Sequence, residues 1–196
     1  LPQGDAWWQW PEQIFRWIGW LCDQAVGVFV VITGMVLTLS TERRDVDFSR
    51  RGGLRSWWGR HYGRLAGPWL IANGVLLAVV TVVGRDPMSV TDPEFWITPA
   101  GVRVTPETFY YAVPAWWYVG LLVQIYLVFP AVLALCRRLG PWRTVFMTIP
   151  VFVVIRAAGL LLIDSPGWVD LWARGGIVLT RMPELLLGVA TGLFMY

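Results

Sequence analysis

RSWWGRHYGRLAGPW, residues 55–69, separates a basic stretch from an apolar one. It holds the only histidine of the chain, His61, between Arg60 and Arg64. From Leu65 to Val83 the sequence is almost wholly apolar, with Asn73 its one strongly polar member. A basic, aromatic collar followed by roughly 20 apolar residues marks a helix entering a bilayer from the cytoplasmic side. Residues 41–64 carry seven arginines, at 43, 44, 50, 51, 55, 60 and 64, so the positive-inside rule makes this loop cytoplasmic.

Composition agrees with that reading. The chain has 196 residues, 56% of them apolar and 15% charged, with 14 tryptophans and no lysine. So little charge and so much apolar surface exclude an ordinary soluble domain. The net charge of +3 sits on arginines clustered beside apolar runs, which points to anionic lipid and not to nucleic acid. Cys22 and Cys136 are expected at opposite ends of the membrane, so no disulfide is expected, and no metal-ligand spacing occurs.

The expected fold is all-α, a polytopic transmembrane helix bundle of about five spans with its N-terminus outside. Residues 1–20, with five tryptophans, suit an interfacial segment, and a structured loop stays open as the other reading. The spans are expected over 21–39, 65–83, 112–136, 144–163 and 176–194 of one membrane domain covering 1–196. Loops 41–64 and 137–143 are then cytoplasmic; 84–111 and the short Pro-Gly loop near 164–170 lie outside. Gly27, Thr33 and Gly34 are small enough to let another helix approach the first span.

Ionisable groups inside spans are functional candidates by default. Arg156 and Glu184 fall at similar depth, and Arg156 is expected to pair with Glu184 or with another acid facing the same cavity. The bland alternative is a buried salt bridge that fixes helix register. Arg181 is placed nearer the outer surface, where a long side chain could snorkel. Gln124, near the middle of the third span, needs a hydrogen-bond partner.

Four stretches resemble the acyltransferase-3 family of integral-membrane acyltransferases. GVFVVITGMVLT (27–38) resembles its glycine, aromatic, Ser-Gly segment, with Val30 for an aromatic and Thr33 for the serine. RHYGRLAGPW (60–69) resembles its basic collar, with His61 where arginine is frequent. WYVGLLVQIYLVFP (117–130) is the nearest match, although Leu122 and Val123 stand where many members carry acids. RMPELLLGVATG (181–192) resembles a late span.

The resemblance implies transfer of an acyl group, expected to be acetyl, from acyl-CoA to a hydroxyl of a cell-envelope glycan or lipid-linked sugar, in the plasma (inner) membrane. Acyl-CoA would be a substrate, with no cofactor held permanently. Arg60 and Arg64, four apart and so on one helical face, would hold its phosphates; anchoring to lipid headgroups is the alternative. Trp117, Gln124 and Tyr126 would line the acceptor route, with Arg156, Arg181 and Glu184 in the cavity. The family's catalytic histidine lies on an early span, after an arginine on the same helix, and nothing here matches it. The base is therefore expected on a helix outside these 196 residues, and His61, among cations that disfavour its charged form, is not its substitute. A catalytically inactive interaction domain remains the alternative function. A transporter is the less favoured one, since neither paired half-repeats nor broken helices are evident.

Overall fold

The computed structural model describes residues 10–48, 50, 52–83, 93–98, 100–109, 111 and 116–196, with helical side chains described from Ala25 onward except at 77 and 80–83. The elements are α1 (Trp10–Glu42), α2 (Gly53–Val83), α3 (Pro93–Ile97), α4 (Pro106–Phe109), α5 (Trp117–Leu139), α6 (Pro141–Leu162), α7 (Pro166–Arg174) and α8 (Met182–Met195). No strand occurs among the described residues. Among the described residues, four stretches are long and apolar enough to cross a bilayer: Ala25–Glu42, Trp117–Leu139, Pro141–Leu162 and Pro166–Met195. The span expected over 65–83 lies in α2, whose end falls partly outside the described side chains.

In lipid, apolar surface gains nothing by leaving its solvent, so helices associate through close packing and hydrogen bonds. Glycines carry that packing between α1 and α8. A Cβ on Gly34 would stand 2.8 Å from the Leu185 carbonyl oxygen, and one on Gly192 would stand 2.7 Å from Thr38 Cβ. Gly188 backs onto the Val31 carbonyl in the same way, so Gly188 and Gly192 act as a GxxxG face. Val30, Leu37, Leu185 and Val189 fill the seam and are buried. At one end of the bundle Arg137 donates to Glu42 Oε1 at 2.7 Å, tying α5 to α1. Gly140, at φ 88, turns the chain there, and Pro141 opens α6, a first-turn position that suits proline. α6 leaves Phe146, Met147, Val154, Leu161 and Leu162 exposed, a face fit for hydrocarbon.

The aromatic collar is itself helical and lies along α5. Trp57 stacks on Phe129 with centroids 5.3 Å apart, Tyr62 Oη donates to the Val123 carbonyl at 3.0 Å, and Trp69 meets Trp116 edge-on at 4.8 Å. The expectation of a loop over 41–64 therefore gives way to a short turn between α1 and α2.

The last span differs most from its expectation. Residues 176–194 do not form one helix, and 164–170 is not a loop. Pro166 opens α7, and Gly175, in the left-handed region at φ 78, ends it. A 3-10 turn covers Val178–Arg181, and Pro183 sits in the first turn of α8. The physical reason is the glycine pair followed by a proline: Gly175 takes a conformation costly for other residues, and Pro183 lacks the N–H that a continuous helix would use. α8 has 14 residues, a length of about 21 Å, short of a ~30 Å hydrocarbon core.

Candidate functional site

A broken helix at membrane depth leaves backbone groups that lipid cannot satisfy. Two side chains satisfy them. Gln124 donates from Nε2 to the Gly176 carbonyl at 2.9 Å and accepts from the Val178 N–H through Oε1 at 2.9 Å. Arg181 donates from Nη2 to the Arg174 carbonyl at 2.7 Å and from Nη1 to Glu184 Oε1 at 3.1 Å. Gln124 thus has the partner its position demanded. Arg181 does not snorkel: it is 6% exposed, because the break folds its head back onto the end of α7. Among the described residues, its Nε and the Oε2 of Glu184 have no hydrogen-bond partner. Gly27 of α1 backs onto this pair, since a Cβ there would lie 3.6 Å from both Arg181 Nη1 and Glu184 Oε1.

Arg156 does not pair with Glu184. Its Nη2 donates to the Ala173 carbonyl at 2.8 Å, while Trp172 Nε1 donates to the Arg156 carbonyl at 2.9 Å. The carboxylate it was matched with is held by Arg181, three residues away on its own segment. Arg156 instead fastens α6 to α7. Trp117 stacks on Phe109 at 5.3 Å, joining α5 to the segment before it. Tyr118 Oη lies 3.5 Å from Thr33 Oγ1.

Tyr126 belongs to a different cluster, because two residues along a helix turn a side chain by about 200° from Gln124. It meets His61 edge-on at 5.5 Å and Tyr62 at 5.8 Å. Beside it, Ser40, Arg44, Val46, Trp57, Arg60, His61 and Arg64 line a cavity of about 30 Å³. Trp57, 1% exposed, donates from Nε1 to Thr41 Oγ1 at 3.1 Å and so fixes α2 against α1. His61 Nδ1 lies 2.8 Å from the Trp57 carbonyl, and its ring lies on the Trp57 ring at 4.1 Å. Burial first, and then the positive charges of Arg60, Arg64 and Arg44, hold the imidazole below its usual pKa, against an opposing push from the Trp57 hydrogen bond. The site residues therefore form two groups: Arg60, Arg64 and Tyr126 at the collar, and Gln124, Arg181 and Glu184 at the break.

Sequence reasoning missed two cations. Arg44 joins the collar from the turn after α1; seven arginines in one stretch gave no means of choosing it. Arg103 is fully buried. Its Nη1 donates to the Tyr111 carbonyl at 3.0 Å, and its guanidinium lies over the Trp69 and Trp116 rings at 5.5 and 5.9 Å. Burial lowers its pKa to about 10. Next to it, Tyr62, Leu65, Trp69, Leu70, Gly101 and Val123 help line an apolar cavity of about 350 Å³. No group of three or more His, Cys, Asp or Glu suited to a metal occurs among the described residues.

Apolar helices of spanning length, glycine-packed, with a charged pair at a capped helix break, define a polytopic integral-membrane protein. A family model described as "Acyltransferase domain" matches residues 1–196. The chain belongs to the acyltransferase-3 family, a membrane acyltransferase family. No curated protein and no solved structure matches it.

Proposed function

We propose that the chain is the membrane domain of an O-acyltransferase that takes an acyl group, acetyl in the simplest case, from acyl-CoA and gives it to a hydroxyl of a cell-envelope glycan or lipid-linked sugar. The observation that carries this reading is the family match along the whole chain, joined to a basic cavity at Arg60 and Arg64. Two guanidiniums on one helical face suit phosphate oxygens. The protein lies in the plasma (inner) membrane with residues 41–64 and 137–143 on the cytoplasmic side, where acyl-CoA is made available.

In such a transfer a base takes the hydroxyl proton as oxygen attacks the thioester carbonyl, and the CoA thiolate leaves. His61 is not given that role, since its Nδ1 engages the Trp57 carbonyl and burial, then three arginines, oppose its charging. Gln124, Arg181 and Glu184 hold the polar break against which an acceptor would be placed, and the free Oε2 of Glu184 is the group there able to accept a hydroxyl hydrogen bond. Trp117, stacked on Phe109, and Arg156, bonded to the end of α7, support this arrangement by packing, whereas Tyr126 packs at the collar.

The test is kinetic. In membranes bearing the full gene product, Arg64→Ala raises the KM for acetyl-CoA about tenfold, the weight of one charge-assisted contact, while the amount inserted stays the same. An unchanged KM removes the role. A chain that inserts normally and transfers no acyl group from any donor tried is an inactive interaction domain.

A further inference from the structure

We propose that the apolar cavity between α2, α5 and the turn at Ala100–Gly101 is a site for one fatty acyl chain of a bilayer phospholipid, which enters between Leu70 and Ala100 and is held as part of the folded bundle. It is separate from the basic collar and does not depend on the acyl-CoA reading.

The cavity lies at hydrocarbon depth. Trp57 is bonded to Thr41, the neighbour of Glu42 in the Glu42–Arg137 pair, and so marks one end of the bundle. Along α2, Tyr62 stands about 8 Å and Leu70 about 20 Å beyond Trp57, inside a hydrocarbon core of ~30 Å. α5 runs alongside in the opposite direction, with Val123 against Tyr62 and Trp116 against Trp69. Tyr62, Leu65, Ala66 and Trp69 share the face of α2 nearly opposite Arg60 and Arg64.

The walls are fixed. Tyr62 is bonded to the Val123 carbonyl, and Trp69 is held by the Trp116 ring and the Arg103 guanidinium. Gly101, at φ 80, brings its turn so close to α5 that a Cβ there would stand 2.7 Å from Val123 Cγ2. The lining is therefore braced against collapse, and about 350 Å³ needs an occupant. Water is a poor one, because a cavity without polar partners stays dry. Emptiness forfeits the dispersion contacts of the wall atoms. With a methylene taking about the ~30 Å³ that a water occupies in the liquid, the space holds roughly a dozen carbons of one chain.

The mouth opens on an apolar surface. Leu70 and Ala100 are the exposed members of the lining, whereas Trp69 and Gly101 behind them are buried. α3 leads into that turn, tied to it by the Gly101 N–H on the Thr98 carbonyl at 2.9 Å, and it exposes Trp96 and Ile97. Such a rim suits the level where a bilayer meets water. A chain entering here comes from the leaflet away from the Glu42–Arg137 end. No charged side chain lines the cavity, and its one hydroxyl is spent on Val123. A scarce ligand needs placed polar groups to be chosen over bulk lipid; a phospholipid chain needs none, because the bilayer supplies it in excess.

The experiment puts the full gene product in phosphatidylcholine nanodiscs doped with a phosphatidylcholine that carries a diazirine midway along one acyl chain. After irradiation the cross-links are mapped by mass spectrometry. Label is expected in the cavity, at Ala66, Val119 or Val123, and also on the exposed face of α6 at Phe146, Met147 and Leu161. Ala66→Phe, which fills the cavity, should lower the cavity label severalfold and leave the α6 label unchanged. Label on α6 with none in the cavity overturns the site, since protein or water then fills it. Loss of the cavity label alone when a small amount of polyprenyl phosphate is added also overturns it, because the cavity then belongs to a scarce, selected ligand. The α6 label reports that the protein is in the bilayer, so the unaltered chain decides the matter whether or not Ala66→Phe folds.

Discussion

Gln124 is the residue on which the broken segment depends. Its amide fills two backbone needs at once, at Gly176 and Val178. Gln124→Leu leaves a buried carbonyl and a buried N–H unpaired, at about 1–3 kcal/mol each. The thermal midpoint in detergent is therefore expected to fall by several degrees, and an unchanged midpoint would show that water or a rearranged loop replaces the amide. Arg181 and Glu184 form the second test at this scale. Glu184→Gln leaves a buried guanidinium without its counter-charge, a loss of about 3–5 kcal/mol, and the double change Arg181→Met with Glu184→Leu is expected to recover most of it. A double variant no more stable than Glu184→Gln would mean that the Arg174 carbonyl cap is the larger contribution. His61 gives a pH test. Its folded pKa lies below the ordinary value, so the unfolded chain binds the proton first as pH falls through about 6.5. Stability is then present above that value and declines below it, until the folded ring also charges. The midpoint measured from about pH 7.5 down to pH 5.5 should fall more in the unaltered chain than in His61→Gln.

At the scale of elements, the glycine seam between α1 and α8 holds the bundle together. Gly34→Leu drives a side chain into the Leu185 carbonyl, 2.8 Å from the Cβ position, and backbone cannot yield there as a flexible side chain would. The variant is expected to lose monodispersity on size exclusion, whereas Gly59→Leu, with open space around its Cβ, should behave as the parent. Much of this was legible: α5 and α6 follow from hydropathy, and Gly27 and Gly34 from size. The break between α7 and α8 was not. A hydropathy reading of 176–194 sees one leucine-rich run, and helical depth was counted along an axis that the chain does not follow. An unbroken axis puts Arg181 nearer the outer surface and Arg156 at the depth of Glu184. The signal was the Gly175-Gly176 pair with Pro183 beyond it, a stop and a restart written in backbone preference. The collar was legible as basic and aromatic, but its packing on α5 depended on Trp57, Trp58 and Tyr62, whose partners lie some 60 to 70 residues away.

For the whole molecule, composition alone required a membrane, and the family likeness rested on four stretches spread from Gly27 to Gly192. The two polar groups could not be told apart in sequence, because Gln124 and Tyr126 are neighbours on the chain and face opposite ways. Orientation is tested by replacing the native cysteines with alanine and placing single ones at Arg138 and Asp164. In right-side-out vesicles an impermeant maleimide should label Asp164→Cys and spare Arg138→Cys; the opposite pattern would invert the proposed topology. The central claim concerns chemistry. Membranes bearing the full gene product, supplied with acetyl-CoA labelled in its acetyl group, should move label into the envelope glycan or lipid-linked sugar fraction, with far less movement when Arg60 and Arg64 are both alanine. Label that stays on CoA in membranes where the protein is present and folded would contradict the acyltransferase account.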